Sequence, residues 1–123
     1  MNNFENALDS HLKSIADRNL SAFSDFLHPT LNCIIILPNG HMIEGYEGIV
    51  DFHKEWFADS DWRMDVKILD TITFENAGYA LMDIVYHDID ENGNPYELKY
   101  FLSLIFNKID DRWFLIRDQN TLK

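Results

Sequence analysis

The sequence predicts an α+β domain, with helices packed on one face of a strongly curved, mostly antiparallel sheet. Three observations predict it. Apolar residues recur at helical spacing only before Asp61, they alternate at period two after it, and the alternating runs are separated by turn signals such as Asn92-Gly93 and Asp110-Asp111.

Taken in order, Phe4, Leu8, His11, Leu12 and Ile15 form one stripe of an amphipathic first helix. A short second helix carries Leu20, Phe23, Phe26 and Leu27 and ends at His28-Pro29. Leu31 to Leu37 is a β-rich run, and Pro38-Asn39-Gly40 turns the chain. Gly45 to Phe57 returns to helical period, with Ile49, Phe52, His53, Trp56 and Phe57 on one side. Met64, Val66, Ile68, Ile72 and Phe74 then alternate with polar residues in a strand expected to be half-buried. Three more strands follow, over 79–89, 96–107 and 113–121. No linker, repeat or low-complexity stretch divides residues 1–123, so a single domain is expected.

Composition narrows the function classes. Ten Lys and Arg stand against 21 Asp and Glu, a formal charge of −11, and such a surface repels phosphate backbones and anionic lipids. Neither a nucleic acid nor a membrane surface is therefore expected as a partner. With no signal-peptide pattern and no apolar run of membrane-spanning length, the expected location is the cytoplasm. The single cysteine, Cys33, lies in an apolar run and reads as a small core residue. His41 and Glu44 lack a supporting ligand cluster, and the acidic tip Asp88, Asp90, Glu91 and Asn92 lacks calcium-loop spacing. No metal and no cofactor is expected.

Strand parity assigns faces if each hairpin closes through two residues. An Asn92-Gly93 turn places Asp83 opposite Leu102 and Val85 opposite Tyr100. An Asp110-Asp111 turn places Leu102 opposite Gln119 and Leu104 opposite Arg117. Opposed residues share a face, so a concave surface is expected to carry Asp83, Tyr100, Leu102, Arg117 and Gln119 among apolar neighbours. Asp70 joins Asp83 if Asn76-Ala77 is also a two-residue turn, and an odd loop or a bulge exchanges the faces locally.

On this reading Asp83 is the candidate catalytic acid or base, with His11 or His53 as its proton partner. Trp56, Tyr100, Leu102, Arg117 and Gln119 are the candidate ligand-binding residues. A competing reading makes Asp83 and Arg117 a structural ion pair, the histidines core residues and Trp56 and Tyr100 packing. The opposite face is also apolar, and the chain has helices for one face only. A homodimer through the outer sheet face is the expected consequence.

Three stretches resemble the nuclear-transport-factor-2-like superfamily, the cystatin-like α+β cone of SnoaL-like cyclases, ketosteroid isomerases and limonene-epoxide hydrolases. They are Asn19-Leu20-Ser21-Ala22-Phe23 with Phe26-Leu27-His28-Pro29, then Pro38 to Gly45 leading to Ile49 and Phe52, and last Asp111-Arg112-Trp113 ending in Asp118-Gln119-Asn120-Thr121. The closing segment is most similar to the SgcJ/EcaC-type group, with Gln119 where a histidine is common. The resemblance implies homodimers and a pocket for a small hydrophobic or amphipathic molecule. It implies a fold and a cavity rather than a reaction; the expected function is a cofactor-independent isomerase, cyclase or hydratase/hydrolase acting on a mostly apolar substrate, the alternative being a non-catalytic dimeric ligand-binding or assembly module. Ketosteroid isomerase chemistry is not expected, because its base falls near Ile35 and its oxyanion-hole carboxyl near Leu102 to Leu104. Asp70, Arg117 and Asp83 supply the residue types of the epoxide hydrolases from other strand positions.

Overall fold

The computed structural model of the protein describes residues 3–123. Its elements run α1 (Phe4–Ala16), α2 (Leu20–Ser24), β1 (Ile34–Ile36), β2 (Met42–Glu44), α3 (Tyr46–Ala58), β3 (Arg63–Thr73), β4 (Ala77–Ile89), β5 (Pro95–Ile109) and β6 (Arg112–Leu122). Helices thus give way to strands at the point where the apolar period changes. Both early helices start on an asparagine whose side chain accepts a backbone N–H that the first turn leaves unpaired: Asn3 from Asn6 at 2.8 Å and Asn19 from Ala22 at 3.0 Å.

The six strands form one unclosed sheet in the order β2-β1-β6-β5-β4-β3, antiparallel except for the parallel pair β1 and β6. The helices cover its concave face, and the core lies between them. Phe4, Leu8, Phe23, Ile49, Ala80, Met82, Ile84, Leu104, Phe106 and Leu115 are all buried there. Gly78 lets the ring of Phe4 lie directly on β4; a Cβ at that position would stand 2.3 Å from the ring. Trp62 is buried, stacked on Trp56 at 4.2 Å, with the Arg18 guanidinium over its ring at 4.2 Å. Arg18 also donates to the carbonyls of Asp59 and Trp62, which ties the end of α1 to the loop before β3.

Three details of the sheet correct the parity expected from two-residue turns. The β4-β5 hairpin closes through three residues, Glu91, Asn92 and Gly93, between the bonded pair Asp90 and Asn94. Asp90 Oδ1 accepts the N–H groups of Asn92 and Asn94, and Gly93 takes the left-handed conformation (φ 82°). That is the three-residue loop with a terminal glycine rather than the two-residue Asn-Gly turn. Asp83 therefore pairs with Phe101, and Ile84 with Tyr100.

The Asp110-Asp111 turn does have two residues, both at positive φ, but β6 bulges at Ile116. Past the bulge Leu104 faces Asp118 and Leu102 faces Asn120. The β3-β4 turn closes at Phe74-Ala77, one residue earlier on each strand than an Asn76-Ala77 turn would, which puts Asp70 opposite Leu81, so Asp70 and Asp83 do not meet across the strands. A second bulge, at Leu69, shifts the register only beyond Asp70. β3 is also more exposed than a half-buried strand. It is an edge strand that the helices barely reach, and Val66, Ile68 and Ile72 each keep about 40% of their surface.

Candidate functional site

The concave face and the inner sides of α1 and α3 enclose a cavity of about 260 Å³. That exceeds the roughly 150 Å³ that accommodates a benzene ring and falls just short of sites for drug-sized ligands, which begin near 300 Å³. Its walls are mostly apolar: Ile15 from α1, Phe52 and Trp56 from α3, Ile35 and Leu37 around β1, and Leu98 and Leu102 from β5. The Pro38-Asn39 turn forms part of the rim. The polar groups in the lining are His53, Tyr86, Tyr100, Asp118 and Asn120, with Asn39 at the edge.

Of the residues singled out in the sequence, His53, Trp56, Tyr100 and Leu102 line this cavity. His11 lies behind it, fully buried between the rings of Phe23, Phe26 and Phe106, with neither ring nitrogen bonded. Asp83, Arg117 and Gln119 belong to the outer face, because the odd hairpin loop inverts β4 and the bulge inverts the end of β6. Asp83 and Arg117 are not partners there. Asp83 forms an ion pair with Lys123 at 2.9 Å, and Arg117 donates to the carbonyls of Asn32 and Ile116. Cys33 is buried, and desolvation pushes its thiol up to about 12, which leaves it a core residue rather than a nucleophile.

The same inversion brings in Asp118 and Asn120, which alternate with Arg117 and Gln119 and so fall on the other face when every turn has two residues. They stand two apart on β6, so both point inward. Asn120 donates one Nδ2 hydrogen to the Ile36 carbonyl at 2.7 Å and the other to Asp118 Oδ1 at 3.0 Å. Asp118 lies beside Ile35 and Leu104, with no ion pair to it among the described residues. Desolvation pushes its carboxyl up to about 7, despite the Asn120 hydrogen bond that opposes the shift. Tyr100, whose hydroxyl the same burial holds strongly protonated, has no hydrogen-bond partner for that hydroxyl among the described residues. His53 Nδ1 donates to the Ile49 carbonyl at 2.8 Å, and burial keeps the imidazole neutral with a pKa of about 4. Tyr86 is already engaged, donating to Asp88 at 2.7 Å and accepting from the Trp56 indole.

The site is therefore an apolar cup with one carboxyl poised near neutrality, a neutral imidazole and a phenol. Among the described residues no lysine or arginine lines it. The sequence signal that could have found Asp118 was its place in an alternating strand, but the parity depended on a bulge that no residue type announces.

Comparison with known proteins agrees with this architecture. The SnoaL-like domain family matches residues 5–119, and the chain belongs to that family. It is thus a member of the nuclear-transport-factor-2-like superfamily. No curated protein matches the sequence. Among solved structures, a candidate dehydratase of the NTF2-like family from Streptomyces avermitilis is similar, with a TM-score of 0.79, 9% identity and coverage of 97% of this chain and 93% of the other. A ketosteroid isomerase-like protein from Erwinia carotovora atroseptica has a TM-score of 0.78 and 12% identity, covering 96% and 92%. The CaMKII hub of S. rosetta has a TM-score of 0.72 and 17% identity, covering 97% and 93%. At these identities the likeness is one of fold. No helix among the described residues is long and apolar enough to cross a membrane.

Proposed function

We propose that the protein binds a small, mostly apolar molecule in the cup and exchanges a proton with it through Asp118, in a cofactor-independent isomerisation, cyclisation or hydration. The observation that carries this reading is a buried carboxyl on the wall of an apolar cavity that no lysine or arginine of the described residues lines, so that desolvation pushes it up to about 7. Such a group takes or gives a proton at neutral pH with little driving-force penalty. His53, Trp56, Tyr100 and Leu102 position the molecule. Tyr100, with an unpartnered hydroxyl, is placed to hold its polar end.

The test is a native-mass or thermal-shift screen of small apolar compounds, followed by turnover assays on those that bind. Asp118→Asn is expected to keep binding of neutral compounds and lower turnover at least a hundredfold. Turnover that survives this change would remove Asp118 from the chemistry. Binding without turnover in the unaltered protein would favour the non-catalytic ligand-binding module instead.

The same reading includes a homodimer formed by the outer sheet face. Ile72, Tyr79, Leu81, Val85, Phe101 and Ile105 share that face and stay partly exposed, and no helix covers them. Charged groups of both signs, including the Asp83–Lys123 pair, flank the patch, which suits a self-complementary contact. Phe101→Glu is expected to convert a dimer into a monomer in sedimentation velocity, with the far-UV spectrum unchanged. A monomeric unaltered protein would overturn this part of the reading.

A further inference from the structure

The polar atoms left over in the cup are mostly acceptors. Both Nδ2 hydrogens of Asn120 are committed to Ile36 and Asp118, so only its Oδ1 remains. The Nδ1 hydrogen of His53 is committed to Ile49, so Nε2 remains as a lone-pair acceptor. Asp118 has one oxygen held by Asn120 and the other without a protein partner. Among the described residues the free donors are the Tyr100 hydroxyl, in the wall, and the Asn39 Nδ2 group, which stays at the rim. Around these atoms stand four aromatic rings, Phe52, Trp56, Tyr86 and Tyr100, whose faces attract positive charge. Among the described residues neither lysine nor arginine reaches the lining, and the chain carries −11, so anions are opposed at short and long range.

We infer that the cup selects an organic cation: a primary or secondary ammonium on an apolar body about one aromatic ring in size. Its N–H groups would be received by Asp118, Asn120 Oδ1 and His53 Nε2, and its body by the ring-lined wall. This rests on the cup being the ligand site and adds the ligand's chemical class. An ammonium beside Asp118 supplies the missing counter-charge, so the bound complex holds the carboxylate ionised and binding releases its proton. The titratable groups facing Asp118 do not obscure that exchange. Tyr100 and Cys33 are both pushed upward, His53 stays neutral above pH 5, and Arg117, beside it in sequence, lies on the other side of β6.

Three compounds of one shape separate the possibilities: 2-phenylethylamine, 2-phenylethanol and phenylacetate, titrated calorimetrically at pH 6 and pH 8. The amine is expected to bind at least tenfold more tightly than the alcohol at pH 8, and phenylacetate more weakly than either. Amine affinity should fall about tenfold at pH 6, as Asp118 takes up its proton, while alcohol affinity changes little. Asp118→Asn should abolish the preference for the amine and its pH dependence. Retained binding of the alcohol would show that this variant is folded with its cup intact. Alcohol or phenylacetate binding as tight as the amine would overturn the inference and leave the cup as the ligand site. Failure of all three to bind would overturn both.

Discussion

Replacing His11 by leucine is expected to stabilise the protein by about 1–3 kcal/mol at pH 8 and by about 2 kcal/mol more at pH 5. The first part comes from Nδ1 and Nε2, both buried with no partner, where an unsatisfied polar group costs about 1–3 kcal/mol. Leucine is close in size and finds an apolar cage already built from Phe23, Phe26 and Phe106. The second part is proton linkage. Burial lowers the pKa of His11 from 6.5 to about 3, with the neighbouring His53 adding to the effect. The folded state thus holds a neutral ring, while the unfolded chain takes up a proton below 6.5. Stability is complete above that pH and is lost as pH falls, by about 2 kcal/mol per buried histidine at pH 5. Urea unfolding at the two pH values measures both parts. A leucine variant with the same pH dependence as the parent would show that His11 does not stay neutral in the fold.

That a polar residue fills this position reflects what a sequence does and does not reveal. His11 sits on an apolar stripe, which located it correctly on the inner side of α1 but gave no sign that both nitrogens would go unpartnered. The elements were legible for a similar reason: helical and alternating periods are local, and Asn3, Asn19 and Pro38-Asn39-Gly40 mark boundaries by backbone chemistry. The family was legible from the order of those elements.

The polar inventory of the cup was not, because it depends on counting residues through turns. Asn92-Gly93 reads as a two-residue turn, yet Asp90 captures two backbone N–H groups and moves Gly93 to the third loop position. One residue of difference sends Asp83 outward and Met82, Ile84 and Tyr86 inward. Ile116 has no local feature to mark it as a bulge; its cause is that β6 must bend to pair with β5 and with the parallel β1 at once. Residues on β5, such as Tyr100 and Leu102, kept their face because the central strand carries no bulge of its own.

The second large effect belongs to Asp118, and it runs opposite to that of the histidines. The carboxyl titrates near 3.8 in the unfolded chain and about 7 in the folded one, because burial disfavours its charge. Its stability is therefore complete below pH 3.8 and is lost as pH rises through 7, a total of about 4 kcal/mol by pH 8. Asp118→Asn keeps an acceptor for Asn120 and removes the ionisation, so it is expected to stabilise by about 4 kcal/mol at pH 8 but only about 2 kcal/mol at pH 5. The contrast between pH values isolates this carboxyl, since the histidines contribute equally to parent and variant.

A gain of the same size at both pH values would mean that Asp118 does not carry the shifted titration. Between pH 5 and 6 the parent should take up about one net proton on unfolding, two from His11 and His53 less one from Asp118. The variant should take up two. A carboxyl that lowers stability at working pH, where asparagine would satisfy the same hydrogen bond, is poorly explained by folding. The proposed ligand, which needs the charge or the proton, would account for it.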